Sequence, residues 1–231
     1  MKNWLWNKTA EQYYLEGTTQ VLKGDYEKAI KLLPKAIEVK PEYLDAYLHR
    51  GNVYIDIGDN EYALADLDFV IQKSPDNALA FYNRSIANMG LGKKDQALSD
   101  MDWAILLVPD EPGYYNHRCI IHSIREEFDL ALADADKVIE LGDMKTGHNN
   151  RAVVFNKKGD FSSAVAEWTK VLEVDPNESK AYCNRGILYE KCGDNKKAAA
   201  DLKQGLKSKK QLANSLRDQS EKTLLKLERA E

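Results

Sequence analysis

His117, Cys119 and His122 are the only close-set histidines and cysteines in the chain, and a metal site is the chemistry they would serve. Helical spacing argues against it: residues two apart point to different faces, so His117 and Cys119 diverge. Cys119 also falls where other parts of the chain place glycine, serine or alanine. No Gly-rich phosphate loop, nucleophile elbow or paired metal-ligand motif occurs. The sequence therefore predicts no enzyme, no metal and no cofactor.

A second column is Arg50, Arg84, Arg118, Arg151 and Arg185. Recurring arginine suggests phosphate or RNA binding. Asp66, Asp100, Asp134, Glu167 and Asp201 recur in the same phase, however, and where the arginine gives way to Glu16 the acid gives way to Leu32. Residues present and absent together read as Arg–carboxylate pairs inside the fold, since a partly buried guanidinium favours such bidentate partners.

A third column holds amides and imidazoles, His49, Asn83, His117, Asn150 and Asn184. A fourth, about one turn on, holds aliphatics, Ile86, Ile120, Val153 and Ile187. An amide both donates and accepts hydrogen bonds, as an extended peptide backbone requires. Aliphatic neighbours add apolar area for that peptide's side chains. The same residues could instead bond neighbouring helices, with the aliphatics half-buried between units.

These columns need elements that repeat. Ala29, Ala63, Ala97, Ala131, Ala164 and Ala198 are spaced by 34 residues, once by 33. Pro41, Pro75 and Pro109 keep the step, as do Gly24, Gly58 and Gly92 and, further on, Gly159 and Gly193. Each interval holds two apolar stripes at helical spacing, such as Tyr47, Gly51, Tyr54 and then Ala63, Leu67, Val70. Gly58-Asp59 between them reads as a helix end followed by an N-cap, and Ser74-Pro75 ends the second helix. Gly17, Gly51, Ser85, Cys119, Ala152 and Gly186 share one place, where two helices would cross closely.

The pattern Tyr-x-x-Arg-Gly-x-x-Tyr, Gly-Asp, Ala-x-x-Asp and Pro resembles the tetratricopeptide repeat family over about residues 10 to 210. The resemblance implies an all-α fold, a right-handed α-α superhelix of antiparallel helix pairs. It divides into an extension (1–9), six repeats (10–43, 44–77, 78–111, 112–144, 145–178, 179–208) and a capping helix (209–231). Repeat arrays need a polar outer cap, and Leu212 and Leu216 form one stripe on a polar helix there. Thr9 with Gln12 forms a capping-box start, and Trp4 and Trp6 before it are expected to cover the first helix. The fourth repeat departs most: Glu126 replaces the turn glycine and Gly142-Asp143 the terminal proline, so a local change of twist is expected there.

The resemblance also implies that the first helix of each repeat lines a concave groove. Opposite the core stripe, those helices present His49, Asn52, Tyr82, Asn83, Ile86, Asn116, His117 and Ile120, then Asn149, Asn150, Val153, Asn184 and Ile187. The column resembles the asparagine ladder of O-linked N-acetylglucosamine transferases, which implies that Asn83, Asn150 and Asn184 hold peptide backbone. The carboxylate clamp of chaperone-binding relatives is incomplete here, because Tyr14, Leu48, Tyr82 and Asn116 stand where its first lysine would be.

A formal charge of -4 over 231 residues predicts neither a nucleic-acid nor a membrane partner. Residues 191–231 nevertheless hold 11 Lys/Arg against 6 Asp/Glu, which could steer an acidic partner. Three cysteines without paired spacing, and no apolar leader or span, predict a cytoplasmic protein. The expected role is a scaffold for another protein or peptide segment. A homo-oligomer built through the terminal helices is the alternative.

Overall fold

The computed structural model describes residues 8–207 and 212–229, and the described residues hold thirteen α-helices and no strand. Trp4 and Trp6 lie outside the described residues. The helices come in pairs: α1 (Ala10–Leu22) and α2 (Tyr26–Val39), α3 (Leu44–Ile57) and α4 (Asn60–Lys73), α5 (Ala78–Gly90) and α6 (Lys94–Leu107). The series continues with α7 (Pro112–Ile124) and α8 (Phe128–Glu140), then α9 (Met144–Lys158) and α10 (Phe161–Val174). It ends with α11 (Ser179–Lys191), α12 (Asn195–Gly205) and a lone α13 (Asn214–Glu228). Two compact units result, residues 1–110 carrying α1–α6 and residues 111–231 carrying α7–α13.

Small residues let each pair close. A Cβ on Gly51 would stand 3.2 Å from Leu67 Cγ, and one on Gly186 would stand 2.9 Å from Leu202 Cγ. Ser85 fills the equivalent place with a hydroxyl that donates to the Ala97 carbonyl at 2.9 Å, so its polar atom is satisfied in the core. Around these crossings the aliphatic stripes bury completely: Leu33, Val53, Leu67 and Val70 in the first unit, and Val138, Val154 and Leu202 in the second, among others. The capping box forms as the sequence predicts, with the Gln12 amide N–H donating to Thr9 Oγ1 and the Thr9 N–H to Gln12 Oε1.

Turn chemistry explains the odd fourth repeat. Gly58 ends α3 at φ 87°, and the Asp59 N–H donates back to the Tyr54 carbonyl at 2.8 Å. At the corresponding place Glu126 has φ 61°, the one positive-φ residue other than glycine among the described residues, with the same return bond from the Glu127 N–H to the His122 carbonyl. A side chain in that region is strained. Glu126 is exposed. Glu126→Gly is therefore expected to raise stability by about 0.5–1 kcal/mol, net of the added freedom of the unfolded chain. A lowered urea midpoint would contradict this.

α13 completes the second unit. Leu216, Leu224 and Leu227 pack on Ile187, Ala198 and Leu202, covering apolar surface that α11 and α12 would otherwise leave open. Lys226 reaches Glu190 at 2.5 Å and Lys203 reaches Glu228 at 3.0 Å across its edges.

Candidate peptide-binding face

In the second unit the first helices α7, α9 and α11 border a cleft of about 380 Å³. Asn116 and Ile120 come from α7, Lys145, Thr146, Asn149 and Asn150 from α9, and Lys180 from α11. A second, smaller hollow of about 90 Å³ shares Ile120 and Asn150 and runs on to Val153 and Lys157. Ile120 is 43% exposed and Val153 36%. Neither has a polar duty, so both offer apolar area to a ligand. Asn149 makes no side-chain hydrogen bond among the described residues, which leaves its donor and acceptor available. Lys145, Thr146, Val171 and Glu178 were not singled out from the sequence. They belong to the ends of helices and to a second helix, where the period of the first-helix stripe does not point.

The remaining predicted residues are less open. Asn83 and Asn150 are buried, at 6% and 7% exposure, and the Asn150 amide donates to Asn116 Oδ1 at 2.7 Å. The column thus links α7 to α9 as well as facing outward. His49 Nδ1 lies 3.0 Å from the Asp45 carbonyl and 3.3 Å from the Tyr14 hydroxyl, with the two rings edge to face. Tyr82, Ile86 and Asn52 are half-buried, and Asn52 Oδ1 has no hydrogen-bond partner. Asn184 is half-buried and unbonded, whereas Ile187 is only 7% exposed because α13 lies over it. Of the three residues expected to form a peptide-holding ladder, Asn184 alone is not buried.

The suspected metal trio separates. Cys119 is core, and burial, with the nearby Asp134 carboxylate, pushes its thiol up to about 12, so it is neither thiolate ligand nor nucleophile near neutral pH. His122 Nδ1 lies 2.7 Å from Glu127 Oε2. Burial takes His117 down to about 4 from the ordinary 6.5. The unfolded chain then binds a proton that the folded chain refuses between about pH 6.5 and 4, so stability falls as the pH drops through that window. His117→Gln is expected to flatten that part of the pH–stability curve, measured by urea unfolding; an unchanged slope would contradict a buried neutral imidazole.

The arginine column is structural, as the phase of the acids predicts. Arg50 holds Asp66 through Nε and Nη2 at 2.8 and 2.6 Å, and Arg118 holds Asp134 at 3.0 and 2.7 Å. Arg185 holds Asp201 at 2.7 and 3.0 Å. Arg151 departs from the pattern: its Nε is 3.3 Å from Glu167 Oε1, while Glu167 Oε2 meets His148 Nδ1 at 2.7 Å. The Glu167 carboxylate is thus shared between Arg151 and His148, as that of Asp100 is shared between Arg84 and Asn88. Each guanidinium also lies against an aromatic ring of its own helix, such as Phe81 beside Arg84 and Tyr182 beside Arg185.

A further link was not foreseen. Arg84 Nη1 also reaches Asp68 on the preceding second helix at 2.6 Å, Arg151 reaches Asp136, and Arg185 Nη1 donates to Thr169 Oγ1 at 3.0 Å. The arginines therefore tie one helix pair to the one before it. Asp68, Asp102 and Asp136 at 34-residue steps were the available signal. Pro34 stands at that place in α2, which leaves Arg50 paired to Asp66 only.

Two family models match the chain, "TPR repeat" at residues 17–58 and "Tetratricopeptide repeat" at 167–200. The chain is a tetratricopeptide-repeat protein. A tetratricopeptide repeat protein from Parabacteroides merdae superposes with a TM-score of 0.78 over 96% of this chain and 89% of its own, at 21% identity. MamA from Desulfovibrio magneticus RS-1 gives a TM-score of 0.66 over 74% of this chain and 97% of its own, at 18% identity. YrrB, described as a TPR protein with an unusual peptide-binding site, gives 0.59 over 84% and 100%, at 20% identity. At these identities the likeness is one of fold. An uncharacterized protein of Methanocaldococcus jannaschii is 46% identical over 43 residues, 19% of this tetratricopeptide-repeat chain, which spans about half that relative's length. No helix among the described residues is long and apolar enough to cross a membrane.

Proposed function

We propose that this tetratricopeptide-repeat protein is an interaction scaffold that takes an extended segment of another protein along the first helices of its second unit. The repeat fold supports protein–protein interaction in general. The observation that carries the finer reading is the exposure of Ile120 and Val153 on adjacent first helices, beside Asn116 and Asn149, around one continuous pair of hollows. Apolar side chains of a partner would seat against Ile120 and Val153. Its backbone amides would find Asn149 and Asn116, whose acceptor already pairs with Asn150.

Neither aliphatic is needed by the core, so changing them tests binding apart from folding. Ile120→Asp with Val153→Asp is expected to weaken binding of nonapeptides, selected on the full chain from a randomised phage-displayed library, by more than about tenfold. The thermal unfolding curve should stay within a few degrees of the parent. Undiminished binding by a folded double variant would place the partner elsewhere.

A further inference from the structure

Charge on the first helices is sorted by unit. α1, α3 and α5 carry four carboxylates, Glu11, Glu16, Asp45 and Asp56, and no lysine. α7, α9 and α11 carry Lys145, Lys157, Lys158, Lys180 and Lys191 against a single carboxylate, Glu190. The overall charge hides this, because the second helices carry the balance.

Most of the charges on the second unit's first helices have partners. The arginines are held by the acids of the second helices, Lys145 by Asp175 and Glu178 at 2.6 Å each, Lys158 by Asp129 at 3.3 Å, and Glu190 by Lys226. The two acids raise the Lys145 ammonium to about 12, so it stays charged but spoken for. Lys157, Lys180 and Lys191 remain, of which Lys191 lies over the Phe161 ring at 4.7 Å and lines neither hollow. Lys157 touches only the Ser123 carbonyl, at 3.3 Å, and Lys180 has no ion-pair partner among the described residues. Both are exposed, and each lines one of the two hollows that meet at Ile120 and Asn150.

We infer that the segment bound on this face is acidic, an extended peptide with carboxylates near both ends of an aliphatic stretch. The inference rests on the groove reading above and adds the partner's chemistry to it. Unpaired rim lysines steer an anionic ligand and fix its register, and they repel a basic one. An RNA strand would fit less well: the hollows are bordered by aliphatics and amides without a stacking ring, and the arginines suited to bidentate phosphate contacts are occupied. Three first helices at ~10 Å spacing span ~20 Å, which corresponds to about 6 extended residues.

The test uses the full chain to pan a randomised nonapeptide library displayed on phage. Selected peptides should be rich in Asp or Glu around Ile, Leu or Val. A fluorescent copy of one should bind about tenfold more weakly to Lys157→Glu/Lys180→Glu, a variant that loses no ion pair and should melt like the parent. Its Asn/Gln counterpart should be indifferent to that swap. Selection of neutral or basic peptides, an unchanged affinity in the lysine variant, or poly(U) RNA binding in place of peptide overturns the inference. If Ile120→Asp/Val153→Asp abolishes binding while the lysine swap does not, the groove stands and the acidic partner falls. If neither variant affects binding, the groove reading falls as well.

Discussion

Replacing Arg84 by alanine is expected to lower the unfolding free energy by about 3 kcal/mol. Arg84 holds Asp100 with three contacts of 2.6–3.2 Å, and the Asp100 side chain is only 4% exposed. Removing the guanidinium leaves a buried carboxylate with Asn88 as its remaining side-chain donor, at 2.9 Å. The Asp68 contact adds less, since that carboxylate is 60% exposed and screened by water. Burial already pushes Asp100 above the usual carboxylate range despite Arg84, and loss of the arginine pushes it further. A raised folded-state pKa makes the carboxyl bind its proton more readily when folded. The Arg84→Ala deficit should therefore be largest near neutral pH and shrink as the pH falls through the raised value. Joint replacement, Arg84→Met with Asp100→Leu, should recover much of the loss, because no orphaned charge remains. Urea denaturation checks each step. A single-variant loss below about 1 kcal/mol would mean that the pair behaves like a surface ion pair.

The second large effect is expected at Gly147. A Cβ there would overlap Ile139 Cγ1 and stand 2.9 Å from the Ala135 carbonyl oxygen, both on α8. The side chain of Ile139 can shift, but the carbonyl belongs to helical backbone, so α8 and α9 must part. Gly147→Ala should cost about 2–3 kcal/mol, even though alanine is the better helix former by about 1 kcal/mol. It should also weaken peptide binding, since α9 supplies Asn149, Asn150 and Val153. A variant as stable as the parent would show that the approach of the two helices is looser than the geometry here.

Much of the fold was legible because its constraints are local and repeat. Ala63 and Ala97 at 0% exposure and the turn at Gly58 follow from spacing alone. The Arg–acid pairs were legible because the first repeat omits both members, a control supplied by the sequence itself. Openness was harder to read. Asn150 and Asn184 hold the same place in their repeats, yet one is buried and bonded to Asn116 and the other is half-buried and unbonded. Ile187 repeats Ile120 and Val153, and only the seat of α13 shows that it is covered. The lysine asymmetry was diluted in the net charge until the helices were sorted into first and second. The links from Arg84 to Asp68 and from Arg185 to Thr169 join adjacent repeats, and a comparison of places within one repeat does not reveal them.

The scaffold reading makes one direct claim, that the partner segment touches the first helices of the second unit. Methyl NMR of the full chain during titration with a selected nonapeptide tests it. The Ile120 and Val153 methyls should shift or broaden in proportion to occupancy, while those of Leu130 on α8 and Val174 on α10, exposed on second helices, stay in place. Shifts at Leu130 and Val174 with Ile120 and Val153 unmoved would contradict the account.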